Sequence, residues 1–415
     1  MIQLERFVEF TLEDIMRTEQ ALQSSDNFGE TRNTWQENNS NSNLSTKILK
    51  AIKSQAVLTI AIIAAIITCF FVPIDREYLS YFDVRTLACL FCTLAVVGAY
   101  KNIHIFEIVA RFIVLQLHNA RNAILGIVFI TYFASMLLAN DMALLTFLPL
   151  GFFVLESTNK RKYMAFTFIM QNIAANLGGM ITPFGNPQNL YLYSYYNIPT
   201  GTFFRIMAIP FAVATILIIG CCLCVKKEPL MLKDDTKHDV KIGRTVIYSI
   251  LFICSILIVF RIVPYLLGTI LITLAIFFLD RRALREVSYP LLFTFCAFFV
   301  FAGNMARIPL VSEFFHRILP LSPLLIGTLS CQVISNVPSA VLLSRFTDDY
   351  ANLLVAVNIG GCGTLIASLA SLITYSEFKK NFREKTKQYL LWFSLLNFGF
   401  LAVLLLVQML CSRLL

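Results

Sequence analysis

Charge is what this chain has least of. Asp, Glu, Lys and Arg make up only 14% of its 415 residues, against roughly 25% in soluble domains. With 57% hydrophobic residues and a mean hydropathy of +0.72, that scarcity excludes a water-soluble globular protein. Other absences narrow the function. There is no HExxH zinc pair, no nucleophile elbow and no second acid deep in an apolar run to form an aspartyl dyad, so no enzyme is expected. Without a P-loop, ATP-driven transport is not expected. The four histidines, His104, His118, His238 and His316, fall in surface or loop stretches, so neither a metal site nor a cofactor is expected. The eleven cysteines form no extracellular framework. Cys89 and Cys92 read as small apolar core residues, while Cys221, Cys222 and Cys224 leave juxtamembrane acylation open. No cleavable secretory signal is expected, because the first apolar run starts near Ala56.

What is present is a series of long apolar runs. "AVLTIAIIAAIITCFFV" and "AIPFAVATILIIGCCLCV" each reach the length, about 18 residues, that crosses a bilayer as a helix. The chain reads as an all-α, multi-pass protein of the plasma membrane, with the lipid bilayer as its first partner. The net charge of +9 does not point to nucleic acid, because lysines and arginines cluster in the short loops between runs.

Residues 1–54 are polar, starting as an acidic amphipathic stretch and continuing into low-complexity "RNTWQENNSNSN". Spans are expected at 55–72, 84–100, 202–225, 245–262, 265–279, 289–304 and 388–411. Amphipathic segments lie at 101–118 and around "LVSEFFHRIL". Two runs, 121–155 and 322–346, are interrupted at "AND" and "SNV", and two more, 163–195 and 350–376, are broken by glycines.

These irregular runs repeat. "NLGGMITPFGNPQNLYLY" from Asn176 aligns without a gap on "NIGGCGTLIASLASLITY" from Asn358, at an offset of 182 residues. "LLANDMALL" aligns on "VISNVPSAVLL" upstream. The chain therefore divides into a first repeat at 55–225, a linker at 226–244, an extra helix at 245–263 and a second repeat at 264–411. If both interrupted runs are re-entrant hairpins, five crossings separate corresponding points of the two repeats, and the second copy is inverted. The positive-inside rule agrees. With the N-terminus cytoplasmic and the C-terminus outside, the inside loops hold 20 of the 34 lysines and arginines, the outside loops 8, and the N-terminal tail 6.

Broken helices in hydrocarbon expose backbone groups that only protein or a water-lined cavity can satisfy. Inverted repeats with such breaks mark secondary transporters, whose sites lie where the breaks meet. Half-helix N-termini suit an anion, and freed carbonyls suit Na⁺. Asn186 with Pro187 predicts a half-helix restarting at Pro187, with Asn186 as its cap; Asn336 with Pro338 repeats the arrangement, and Asn140 can cap a helix from Met142. Gly178, Gly179, Gly185, Gly360 and Gly361 allow close backbone approach. Asp141 is the one acid placed deep in the membrane, where it either carries a coupling ion or caps the half-helix. Candidate binding residues are Asn140, Asp141, Asn176, Thr182, Asn186, Asn189, Ser335, Asn336, Asn358, Thr364 and Ser368 with those glycines, and Na⁺ is expected at Asn140, Asn176, Asn336 and Asn358 if Na⁺ is the coupling ion. Gln188 and Ser371 face either the solute or a neighbouring helix, and Asn172 and Asn397 read as interhelical glue.

"LANDMALLTFLPL", "NLGGMITPFGNPQNLYL", "SNVPSAVLL" and "NIGGCGTLIASLAS" resemble the paired motifs of the ion transporter superfamily, over about residues 55–411. That group includes citrate-transporter-like permeases, divalent anion:sodium symporters, arsenite permeases and Na⁺/H⁺ antiporters. The resemblance implies hairpins entering from opposite sides, a scaffold able to form a homodimer, and a transport part that moves like an elevator. Its symporters carry Ser-Asn-Thr at both tips, whereas here the tips read Ala139-Asn140-Asp141 and Ser335-Asn336-Val337. The Asn-Asp pair looks more like the arsenite permeases. The reading is a secondary transporter of a small anion such as a carboxylate or inorganic oxyanion, coupled to H⁺ or Na⁺. The alternatives are antiport, arsenite-type efflux or a transporter-like sensor.

Overall fold

Apolar runs that must satisfy their own backbone in lipid become helices, and in the computed structural model every regular element is a helix over the residues it describes: 56–105, 108, 116–230 and 242–414. The N-terminal segment 1–54, half of the amphipathic stretch at 101–118 and the middle of the 226–244 linker lie outside those residues.

In chain order the helices are α1 (Ala56–Cys69), α2 (Val84–Asn102), α3 (Ala120–Ser135), α4 (Asn140–Ser157), α5 (Met164–Gly178), α6 (Pro187–Tyr195) and α7 (Thr200–Leu223). They continue as α8 (Ile242–Val259), α9 (Tyr265–Leu279), α10 (Arg281–Arg285), α11 (Tyr289–Arg307), α12 (Pro309–Ile318), α13 (Pro323–Ile334), α14 (Asn336–Leu343), α15 (Tyr350–Ile359), α16 (Leu369–Asn381) and α17 (Thr386–Leu414). Six segments of the described chain are long and apolar enough to cross a membrane: Val84–Asn102, Arg161–Ile181, Thr200–Leu223, Ile242–Val259, Tyr289–Arg307 and Arg383–Cys411. The protein is an all-α, multi-pass membrane protein.

Helix starts follow local chemistry. Asp83 accepts from Thr86 N, Asn119 from Asn122 N, Ser322 from Leu325 N and Asp349 from Asn352 N, each satisfying a first-turn N–H. α6 starts on Pro187, which has no N–H to satisfy. Three interruptions differ from the sequence reading. The first hairpin turns at 136–139, and Asn140 is already the first helical residue of α4, with Ala139 before it, rather than a cap for a helix from Met142. At the second hairpin tip Asn336 is already the first helical residue of α14, with Ser335 at the cap position, so Asn336 and Pro338 do not repeat the cap arrangement of Asn186 and Pro187. Asn186 stands at the cap position of α6 but makes no cap bond; its side chain is used elsewhere.

Two bodies result. In one, α1 lies along α11, and α2 lies along α8 and α9. Tyr100 Oη donates to Ser249 Oγ at 2.8 Å, and Asn304 Nδ2 to Thr68 Oγ1 at 3.2 Å, so α2–α8 and α11–α1 share polar bonds as well as packing. In the other, α3 and α4 pack on α5, and α13 packs on α14 and α15. There α6 reaches across to α14, and α16 to α4. The segment containing α5 is 83% buried, against 28% for those containing α7 and α17, so α5 is the central post and the other two face lipid. A 3₁₀ turn follows α5 at Gly179–Ile181, and another precedes α16 at Leu365–Ala367. The element order helix, hairpin turn, helix, broken helix thus occurs twice.

Candidate functional site at the meeting of two broken helices

The second body is arranged around the chain breaks. Asn176 lies in the last turn of α5, and its Oδ1 accepts from Asn140 Nδ2 at 2.9 Å and from Ser368 Oγ at 2.8 Å. One amide oxygen therefore joins the tip of the first hairpin, the first break and the second break. Asn186 Nδ2 donates across to Asn358 Oδ1 at 3.3 Å and back to Asn176 O at 3.2 Å. Asn358 Nδ2 in turn donates to Asn189 Oδ1 at 2.5 Å. Asn189 Nδ2 lies within 3.1–3.2 Å of the carbonyls of Gly179, Met180 and Thr182, stitching the first break shut. Asn176 Nδ2 lies 3.4 Å from Gly361 O. Asn140, Asn176, Asn186, Asn189, Asn336, Asn358 and Ser368 are all buried.

The breaks are also fastened to the hairpin turns. Thr182 Oγ1 donates to Met136 O at 2.7 Å, and Thr364 Oγ1 to Gln332 O at 3.1 Å. Gly178 lies so close to α3 that a Cβ would sit 2.3 Å from Tyr132 O; at Gly360 a Cβ would sit 2.9 Å from Cys331 Sγ. Gly185 N bonds back to Thr182 O at 3.3 Å. At the second tip, Ser335 holds φ 75° and ψ 160°, a conformation costing about 1–3 kcal/mol outside glycine and commonest at functional sites. Asn336 Oδ1 accepts from Val337 N at 2.9 Å. Its Nδ2 lies against Gly361, 3.2 Å from where a Cβ would stand.

Asp141 is half-buried in the first turn of α4. Its backbone N–H donates to Asn140 Oδ1 at 3.0 Å, while its own Oδ1 is shielded from solvent and has no hydrogen-bond partner. Asn186 Oδ1, Gln188 Oε1 and Ser371 Oγ are likewise buried and unpartnered. The N-termini of α4, α6, α14 and α16 converge on this network, since Asn140, Asn186, Asn336 and Ser368 stand at or just before them. Two kinds of binding surface are thus side by side: first-turn N–H groups that suit negative charge, and oxygens that suit a cation or an O–H donor. No group of three or more metal-ligating side chains occurs among the described residues. Asn172 lies 3.4 Å from Asn397 Oδ1, joining α5 to α17.

The sequence reading missed Gln332. It accepts from Thr364 N at 2.8 Å and donates to Gly360 O and Cys362 O at 3.0 Å each, holding the second break. A lone glutamine four residues before the hairpin tip in an apolar run was the available signal. Gln171 is a second such case, with Nε2 bonded to Phe147 O at 2.9 Å.

Comparison with known proteins agrees with this geometry. A profile of the citrate transporter family matches residues 46–353. An uncharacterized transporter of Methanocaldococcus jannaschii, MJ0456, is 32% identical over 72% of this chain and 82% of its own length. The inner membrane protein YbiR of Escherichia coli is 26% identical over 80% of this chain and 90% of its own. The silicon efflux transporter LSI3 of rice is 32% identical over 32% of this chain and 27% of its own. A hydrophobic all-helical chain, broken helices meeting in a buried amide network and these likenesses give one conclusion: the chain is a membrane transporter that belongs to the citrate transporter family of the ion transporter superfamily.

Proposed function

We propose that this transporter is a secondary active permease for a small anionic solute, a carboxylate or inorganic oxyanion, coupled to H⁺ or Na⁺. One observation carries the reading: residues at equivalent positions of the two sequence repeats make the same bonds to each other's halves. Asn186 and Ser368 correspond, as do Asn176 and Asn358; Asn186 donates to Asn358 while Ser368 donates to Asn176. Thr182 and Thr364 likewise each donate to a carbonyl at their own hairpin turn. The packing is reciprocal too, α1 with α11 and α2 with α9, α6 with α14 and α16 with α4. Such exchange is what a two-fold axis relating the two repeats produces, and together with the odd number of crossings between them it supports inverted repeats at 55–225 and 264–411.

In this reading the four half-helix N-termini hold the solute's negative oxygens. The unpartnered Asp141 Oδ1 and Asn186 Oδ1 hold the proton or Na⁺ that travels with it. The side-chain oxygens of Asn140, Asn176, Asn336 and Asn358 already accept hydrogen bonds, so Na⁺ would join them from the Asp141–Asn186 side. The body holding the network moves against the α1–α2–α8–α9–α11 body as an elevator, and the latter also supplies a homodimer face. The N-terminus lies in the cytoplasm and the C-terminus outside, in the plasma membrane.

A second reading is efflux of a weak oxyacid in its neutral, hydroxyl-bearing form. It is favoured by the buried polar side chains of the network, which apart from the Asp141 carboxylate are amides or hydroxyls, and by the unpartnered amide oxygens of Asn186 and Gln188, which accept rather than donate. Silicon efflux by the rice relative is in keeping with it. Flux in proteoliposomes under imposed H⁺ or Na⁺ gradients separates the two, with citrate, succinate, sulfate, phosphate, arsenite and silicic acid as solutes. Gradient-driven anion uptake that loses its coupling in Asp141→Asn is the expected result. Uptake that ignores both gradients would sink secondary active transport, and flux confined to arsenite or silicic acid would replace the anion with the neutral acid.

A further inference from the structure

Away from the amide network, a cavity of 520 Å³ opens where three candidate spans end together. The starts of Arg161–Ile181 and Arg383–Cys411 and the finish of Thr200–Leu223 border it. Its mouth carries Arg161, Lys162 and Lys385, and no carboxylate lines it. Arg161 and Lys162 are held from outside by Glu156 and Glu228. Lys385 has no carboxylate partner among the described residues, so the mouth keeps a surplus of positive charge.

Its depth is different. From the mouth the walls run through Phe166, Phe382 and Trp392 to Ile169 and Leu396. At about 1.5 Å per residue, Leu396 lies roughly 16 Å along the helix from Lys385 and Ile169 roughly 12 Å from Arg161. Tyr389 stacks on Phe378, ring centroids 4.2 Å apart, to form an aromatic floor. Polarity therefore falls along the direction of the spans, from cations at their ends to hydrocarbon within. A soluble anion would use only the mouth, and a neutral lipid only the depth.

We propose that this groove is a binding site for an anionic phospholipid, with its phosphate at Lys385, Arg161 and Lys162 and an acyl chain along Trp392 and Leu396. Basic pockets between membrane helices that open at the headgroup level take such lipids. The site is independent of the transport reading and would stand if that reading fell.

Trp392 reports on it directly. It lines the groove, is 48% exposed, and is one of two tryptophans, so a Trp35→Phe background makes it the sole fluorophore. The reconstituted protein is titrated with phosphatidylglycerol or phosphatidylcholine, each with brominated chains. Bulk lipid quenches Trp392 in either case, so the ratio of the two half-quenching fractions is what reads the site. One uncompensated lysine near a headgroup predicts an apparent preference of about fivefold for the anionic lipid. Lys385→Gln should reduce the ratio to near one. Lys387→Gln, an exposed lysine on the same helix outside the groove, should leave it intact. Equal quenching by both lipids in the parent protein would overturn the proposal. So would a preference that survives Lys385→Gln, or release of quenching by inorganic phosphate, which would make the occupant a free anion.

Discussion

Removing the Asn176 side chain tests how the network is held. Asn176 Oδ1 accepts from Asn140 Nδ2 at 2.9 Å and from Ser368 Oγ at 2.8 Å. Asn176→Ala therefore strands two buried donors at once. A stranded buried donor costs about 1–3 kcal/mol, while bonds between membrane helices average about 0.6 kcal/mol because the separated helices find other partners. Taken over two donors these figures bracket the loss between about 1 and 6 kcal/mol. Ser368→Ala strands no side-chain donor; it removes the Oγ that donates to Asn176 and also accepts from Ala370 N at 3.2 Å as the cap of α16, and it leaves Asn140 paired with Asn176, so about 1–2 kcal/mol is expected. A thiol-reactive fluorophore during heating suits the comparison, because Cys331 and Cys362 are free, buried and react only on unfolding. The midpoint of Asn176→Ala should fall by on the order of 5 °C, clearly more than that of Ser368→Ala. If the two variants fall equally, or Asn176→Ala melts with the parent protein, the amide is not the joint described.

Gly178→Ala should destabilise by about 1–3 kcal/mol through overpacking, because the new methyl meets Tyr132 O at 2.3 Å. Gly201→Ala, where nothing lies within 4 Å of the added methyl, should be neutral or stabilising by up to about 1 kcal/mol in its helix; a thermal melt of both compares them, and equal effects would contradict the packing. Glu228 accepts from Lys160 Nζ at 2.8 Å and Tyr163 Oη at 2.9 Å and pairs with Lys162. These partners hold its carboxyl down at about 2, against an ordinary 4.5. A depressed carboxylate stabilises the fold above its ordinary value and stops doing so as pH falls through its folded value. Protection of residues 226–230 from hydrogen exchange should thus decline between about pH 4.5 and 2. Glu228→Gln should abolish that decline, and a decline unchanged in the variant would assign it to another group.

Much of the architecture was legible because lipid leaves a segment few choices. Hydrocarbon demands helices of a set length, so the expected span at 265–279 coincides with α9 and that at 84–100 with nearly all of α2. Proline at the first helical position placed the restart at Pro187 without reference to anything distant. Local chemistry was less reliable where a side chain had two partners to choose between. Asn186 has the cap position but gives its amide to Asn358, which lies 172 residues away. That choice depends on where α15 ends, and no window around Asn186 contains it.

The sequence by itself determined that this is a multi-pass helical membrane protein of the ion transporter superfamily, because hydrophobic length, scarce charge and broken-helix motifs are local properties. Only the tertiary structure decided which atoms meet. It set Asn176 as a joint with both breaks, brought in Gln332 to hold the second, left Asp141 Oδ1 and Asn186 Oδ1 without partners, and gathered Arg161, Lys162 and Lys385 at one groove. The physical reason is range. Helix formation is settled within a few residues, whereas a buried hydrogen bond or a shared cavity depends on how distant segments pack.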